Sequence, residues 1–149
     1  MLPGAVHPRP SNELAIGDYD TLVSLLARAF GGASFPIYYT EYGVQTATPP
    51  EVVSVKHYLD SENEDATRLA STATQAARYG QALALASCQS SVAGLFLFHA
   101  FDDRELDRWQ SGIYYVDGTP KRSFAAVSNS LRAAGTRDVS SCPPSGAIP

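Results

Sequence analysis

The sequence predicts an α/β fold in which parallel strands are covered by helices. Two short runs, residues 35–40 and 92–98, are aromatic, branched or apolar throughout and do not alternate with polar residues. Such runs read as strands buried on both faces. Between and after them lie stretches whose apolar residues recur every three or four positions, the helical period. The resulting order, β-α-β-α-β-α, has helices long enough for right-handed crossovers, and that makes the strands parallel. Three such units are expected, without an internal repeat.

Taken in order, Ala5 and Val6 read as the end of a short strand running into His7-Pro8-Arg9-Pro10, where alternate prolines forbid helix. From Asp18, a plausible N-cap, a helix is expected with Tyr19, Leu22, Val23, Leu26, Ala29 and Phe30 on its apolar face. Gly31-Gly32 ends it. The strand over residues 35–40 follows, with Glu41-Tyr42-Gly43 at its carboxyl end and a long loop carrying Thr48-Pro49-Pro50 beyond. Ser61-Glu62-Asn63-Glu64 is a capping-box pattern that opens the next helix. The face expected there is Ala66, Leu69, Ala70, Ala73, Ala76, Ala77, Gly80 and Leu83. The strand over residues 92–98 ends in His99-Ala100-Phe101-Asp102-Asp103. Asp117-Gly118 is a tight-turn dipeptide. The last helix starts near Pro120, with Phe124, Val127 and Leu131 on one side. Residues 1–134 are expected to be one α/β unit, and residues 135–149 an irregular tail.

Composition narrows the function. A chain of 149 residues with a formal charge of −4 and scattered Lys and Arg offers no basic face for nucleic acid. No stretch approaches the roughly 20 apolar residues of a membrane span. The first residues lack the basic start and apolar middle of a signal peptide. That points to the cytoplasm, or to secretion if a missing N-terminal part carries the signal. Cys88 and Cys142 match no metal spacing. They are either two idle thiols or one disulfide tying the tail to the preceding helix, which would stabilise by about 4 kcal/mol in the chain-entropy model. Neither a phosphate-binding glycine loop nor a metal-ligand cluster occurs, so no cofactor is expected.

In parallel α/β folds functional groups gather at the carboxyl ends of strands. Those ends carry His7, Glu41, and His99 with Asp102. Glu41, flanked by Tyr39, Tyr42 and Gly43, reads either as a nucleophile or base, or as a capping or salt-bridged glutamate.

Residues 36–46, Pro-Ile-Tyr-Tyr-Thr-Glu-Tyr-Gly-Val-Gln-Thr, resemble the seventh strand of retaining (β/α)₈-barrel glycoside hydrolases of the cellulase and β-xylosidase type. Residues 96–102, followed by Trp109-Gln-Ser-Gly112 and Asp117-Gly-Thr-Pro-Lys121, resemble the eighth strand and its loop. His7-Pro8 resembles the end of the sixth. The resemblance spans about residues 3–134. It implies a partial (β/α)₈ barrel, strands six to eight, in which Glu41 is the nucleophile. By the same resemblance His7, Tyr39, His99, Asp102 and Trp109 contact substrate, a β-linked poly- or oligosaccharide. Such chemistry takes two carboxylates roughly 5 Å apart, one attacking the anomeric carbon and one serving as acid and base.

Two departures stand out. Arg9 replaces the tyrosine of the family's His-Pro-Tyr-Pro pattern. The acid/base glutamate, which in the family ends the fourth strand in an Asn-Glu pair, has no counterpart. Asn12-Glu13 lies in a loop, and Asn63-Glu64 in a helix's first turn, where acids are favoured anyway. About three of eight units leave open sheet edges. The chain alone is therefore expected to be inactive and marginal, and to pair with another copy or a complementary barrel fragment, or else to be a truncated gene product. The alternatives are a non-catalytic carbohydrate-binding or interaction module derived from the barrel, and an unrelated small α/β domain.

Overall fold

The computed structural model describes residues 13–59, 69–135 and 142. Among the described residues, four α-helices and two β-strands follow in the order α1 (Tyr19–Ala29), β1 (Ile37–Tyr42), α2 (Pro50–Val53), α3 (Thr72–Ala86), β2 (Val92–Leu97) and α4 (Arg122–Gly135). The strands pair in parallel as a two-stranded sheet. This is the mixed α/β class expected. The first expected strand, with His7, lies outside the described residues, as does the Ser61–Glu64 capping box.

α1 begins after a 3₁₀ turn over Ile16–Asp18. Asp18 stands at its N-cap, and its carboxylate accepts from the Ala15 amide at 2.9 Å. The helix ends at the glycine pair. Gly31 and Gly32 have φ of 64° and 86°, and the Gly32 amide reaches back to the Ala27 carbonyl at 2.7 Å, a Schellman closure.

α3 starts at Thr72, later than the capping box suggests. Ser71 is its N-cap, accepting from the Thr74 amide at 3.0 Å. Leu69 and Ala70 precede the helix. The Ala70 backbone is committed to the loop after β1, donating to Gln45 at 2.9 Å and accepting from Ala47 at 3.0 Å. The buried face also differs. It is Gln75, Tyr79, Ala82 and Ala86, whereas Ala73 and Ala77 are exposed. α4 presents Ser123 and Val127 inward, leaving Phe124 and Leu131 exposed. α3 packs chiefly on α4, around a core of Val44, Tyr79 and Val127 with Tyr42, Leu83, Leu97 and Ile113 against it.

The strands are not buried on both faces as expected. Tyr38 and Phe96 are each 55% exposed, and Thr40, Glu41 and Ala93 are exposed too. Helices cover only one face among the described residues. The register explains which side chains go where. Three steps on β1, Tyr39 to Tyr42, match two on β2, Leu95 to Leu97. The extra residue is a bulge. It returns Tyr42 to the helix side, where its ring meets Tyr79 at 5.8 Å, and leaves Thr40 and Glu41 exposed.

Candidate functional site

The carboxyl ends of the two strands adjoin. The Phe98 amide donates to the Tyr42 carbonyl at 3.0 Å. Glu41 therefore stands at an exposed strand end, one strand away from His99. The His99 ring lies over Phe98 with centroids 3.6 Å apart, and Phe98 meets Trp109 edge-on at 5.5 Å. The Phe98–His99 peptide is cis. Trp109 is half-exposed, so a flat apolar face is open to solvent. Gly43 fits between the two strand ends only because it has no side chain. A Cβ there would lie 2.6 Å from the Phe98 carbonyl oxygen and 3.4 Å from the Ser111 Cβ.

The loop bearing Trp109 is closed on itself and anchored from behind. The Asp103 amide donates to the Trp109 carbonyl at 3.0 Å, and the Trp109 amide donates to the Asp103 carboxylate at 3.1 Å. The Gln110 side chain donates to the Glu105 carbonyl at 2.8 Å. α3 holds both loops at once. Gln75 Nε2 donates to the carbonyls of Val44 and Gly112 at 2.9 and 3.3 Å, while its oxygen accepts from Ser123 at 2.7 Å. The Tyr79 hydroxyl accepts from the Val44 amide at 3.2 Å and donates to the Ser111 carbonyl at 2.5 Å. Burial pushes the Tyr79 phenol up to about 12, so it remains a donor at neutral pH. Burial does the same to Tyr42, also to about 12.

Two expected substrate contacts have their polar groups engaged within the protein. Asp102 is buried, and its carboxylate is fully engaged. Lys121 Nζ lies 2.6 Å away, the Gly112 amide donates at 2.9 Å, and the Tyr58 hydroxyl donates as well. Burial raises the Asp102 carboxyl and lowers the Lys121 ammonium, with their mutual attraction opposing both shifts. This carboxylate ties the loop together. Tyr39 is half-buried, and its hydroxyl donates at 2.9 Å to Gln89, in the turn before β2. Its polar end thus points to the amino end of the sheet, opposite Glu41. Of the other candidates, Glu41, His99 and Trp109 share the carboxyl edge, and His7 lies outside the described residues.

Gln75, Tyr79, Tyr58 and Lys121 escape sequence reasoning. The first two are four residues apart, hence on one helix face, but their neighbours are small and draw attention to a different face. Lys121 stands beside Arg122 just ahead of a helix, and such a pair resembles any solvated basic residues. Among the described residues no group of three or more His, Cys, Asp or Glu could hold a metal ion. No described helix is long and apolar enough to cross a membrane.

A parallel α/β unit with ionisable and aromatic groups at its carboxyl edge is the class these elements define. Two solved structures share the fold. Both are of a GH2 β-galacturonidase from Eisenbergiella tayi, one bound to galacturonate and one to glycerol. Each aligns with a TM-score of 0.58 over 89% of this chain, at 18% and 20% identity respectively. The chain covers 22% of the length of each. At that identity the likeness is one of fold. No family model matches the chain, and no curated protein matches it in sequence.

Proposed function

We propose that this chain is the C-terminal part of a retaining (β/α)₈-barrel glycoside hydrolase for β-linked sugars, with Glu41 in the nucleophile position. The observation that carries this is the exposed Glu41 on a bulged parallel strand, one strand from the His99–Phe98–Trp109 aromatic group. The fold shared with glycoside hydrolases supports it. A carboxylate there can approach an anomeric carbon, the Trp109 ring can stack on the apolar face of a sugar, and His99 can meet a hydroxyl. The open sheet face bearing Tyr38 and Phe96 is where further strands of such a barrel would pack.

On the resemblance, whose fourth strand has no counterpart here, the acid/base is assigned to a residue outside this chain. Among the described carboxylates of the loop after β2, Asp102 is taken by Lys121, Asp103 accepts from the Trp109 amide, and Glu105 pairs with Arg108. The purified chain should therefore show no turnover of aryl β-glycosides, galacturonides included. In a longer protein containing this segment, a mechanism-based fluoroglycoside should label Glu41, and Glu41→Gln should abolish labelling. Covalent label on any other residue would overturn the assignment.

A further inference from the structure

We infer that Lys121 is a positioning residue for this site, its ammonium holding the Trp109 loop against the end of β1. An ammonium has three donors. Here they meet the Asp102 carboxylate at 2.6 Å, Thr46 Oγ1 at 3.0 Å and the Gln110 carbonyl at 3.1 Å. Those partners lie on three separate pieces of chain: the loop after β1, the start of the loop after β2, and the residue next to Trp109. The Gln110 carbonyl is also held by the Thr46 amide at 3.2 Å and the Thr46 hydroxyl at 3.0 Å. The Lys121 side chain is fully buried, with the Tyr115 ring 5.5 Å from its nitrogen.

Among the described residues the Trp109 ring, 50% exposed, meets one aromatic neighbour, Phe98, edge-on. Its orientation is inherited from the backbone at Gln110, and that backbone is clamped by Lys121. A buried ion pair is a poor device for stability alone, since an apolar pair of similar size often does as well. Three acceptors converging on one cation from three segments is instead a device for geometry. The clamp stands by itself, whereas the purpose given to Trp109 rests on the glycosidase proposal.

Trp109 is the single tryptophan in the chain, so its fluorescence reports this loop alone. Time-resolved anisotropy should be measured on the whole chain, on Asp102→Asn/Lys121→Met, and on Thr46→Val. The double variant leaves no unpaired buried charge. Thr46→Val removes one acceptor of the ammonium and the hydroxyl's own bond to the Gln110 carbonyl, and leaves the ion pair in place. Both should retain the far-UV signature of the parent. The double variant should lose most of the slow component of the Trp109 decay, and Thr46→Val part of it. Val127→Ala, a core truncation, should keep that component even though it lowers stability. Unchanged anisotropy in both clamp variants, or equal loosening by Val127→Ala, would overturn the inference. A separate titration of the parent chain with a soluble cello-oligosaccharide tests the sugar role. Unmoved emission would remove Trp109 from the glycosidase proposal and leave the clamp untouched.

Discussion

At the residue scale, Glu41 owes its exposure to its neighbours rather than to its own chemistry. The extra residue between Tyr39 and Tyr42 rotates Tyr42 onto the helix side, and the strand end can then close on Phe98 only through a glycine. Gly43 is thus a spacing requirement of the site. Gly43→Ala would push a methyl group into the Phe98 carbonyl, and since that atom is backbone, it cannot swing away. We expect a loss of about 1–3 kcal/mol, the usual range for overpacking. Urea unfolding of the variant reads this directly, and an unchanged midpoint would mean the two strand ends are not so closely apposed. Asp102 shows the opposite case. It is a carboxylate at a strand end, as the site chemistry asks, yet its oxygens are turned inward to a lysine 19 positions later in sequence.

At the element scale, the helices and strands were legible because periodicity and punctuation are local properties. Gly31-Gly32 and Asp117-Gly118 mark chain reversals by backbone need, and both are reversals here. The start of α3 is not legible as a local signal, because the backbone at Ala70 is claimed by the loop after β1 and Ser71 then caps the helix. Its buried face was misread because Gln75 and Tyr79 satisfy loop backbone groups 31 to 37 residues away, which no window of sequence displays. The hairpin over residues 114–120 permits a pH test. Asp117 accepts from the Thr119 hydroxyl at 2.7 Å and the Thr119 amide at 2.9 Å, with Lys56 at 3.2 Å. Those bonds, the Thr119 hydroxyl first, lower its carboxyl from 3.8 to about 2. A folded-state value below the unfolded one means that the ionised form supports the fold. That support is complete above the ordinary value of 3.8 and disappears as pH falls through about 2. The stability gap between the parent and Asp117→Asn should close over that interval. A gap independent of pH would show that the turn does not depend on the charge.

At the scale of the whole molecule, the balance of covered and open surface decides what the chain can do alone. Among the described residues the core cluster is small, with Val44, Tyr79 and Val127 at its centre, while Tyr38, Phe96, Phe101 and Trp109 are open to solvent. Among the described residues apolar burial to offset chain entropy is modest, so any constraint on the unfolded state counts for more. One such constraint is present. Cys88, just past α3, is bonded to Cys142, beyond α4, with Cα atoms 5.5 Å apart. Of the two outcomes open to this cysteine pair, the structure has the disulfide. It closes 54 residues of sequence that include β2, the Trp109 loop and α4. In the chain-entropy model a loop of that size stabilises by about 4 kcal/mol. For a chain of this length that corresponds to a fall in Tm of about 10 °C on reduction. Because the crosslink spans the α3–α4 pair and not the β1–β2 register, reduction should lower Tm without first releasing the candidate site. Thermal scans with and without reductant, followed by Trp109 emission, separate the two. A Tm unmoved by reductant, with Cys88 and Cys142 titrating as thiols beforehand, would show that the pair is not bonded in solution. Early loss of the Trp109 signal on reduction would show that the site draws its order from the crosslink rather than from Lys121.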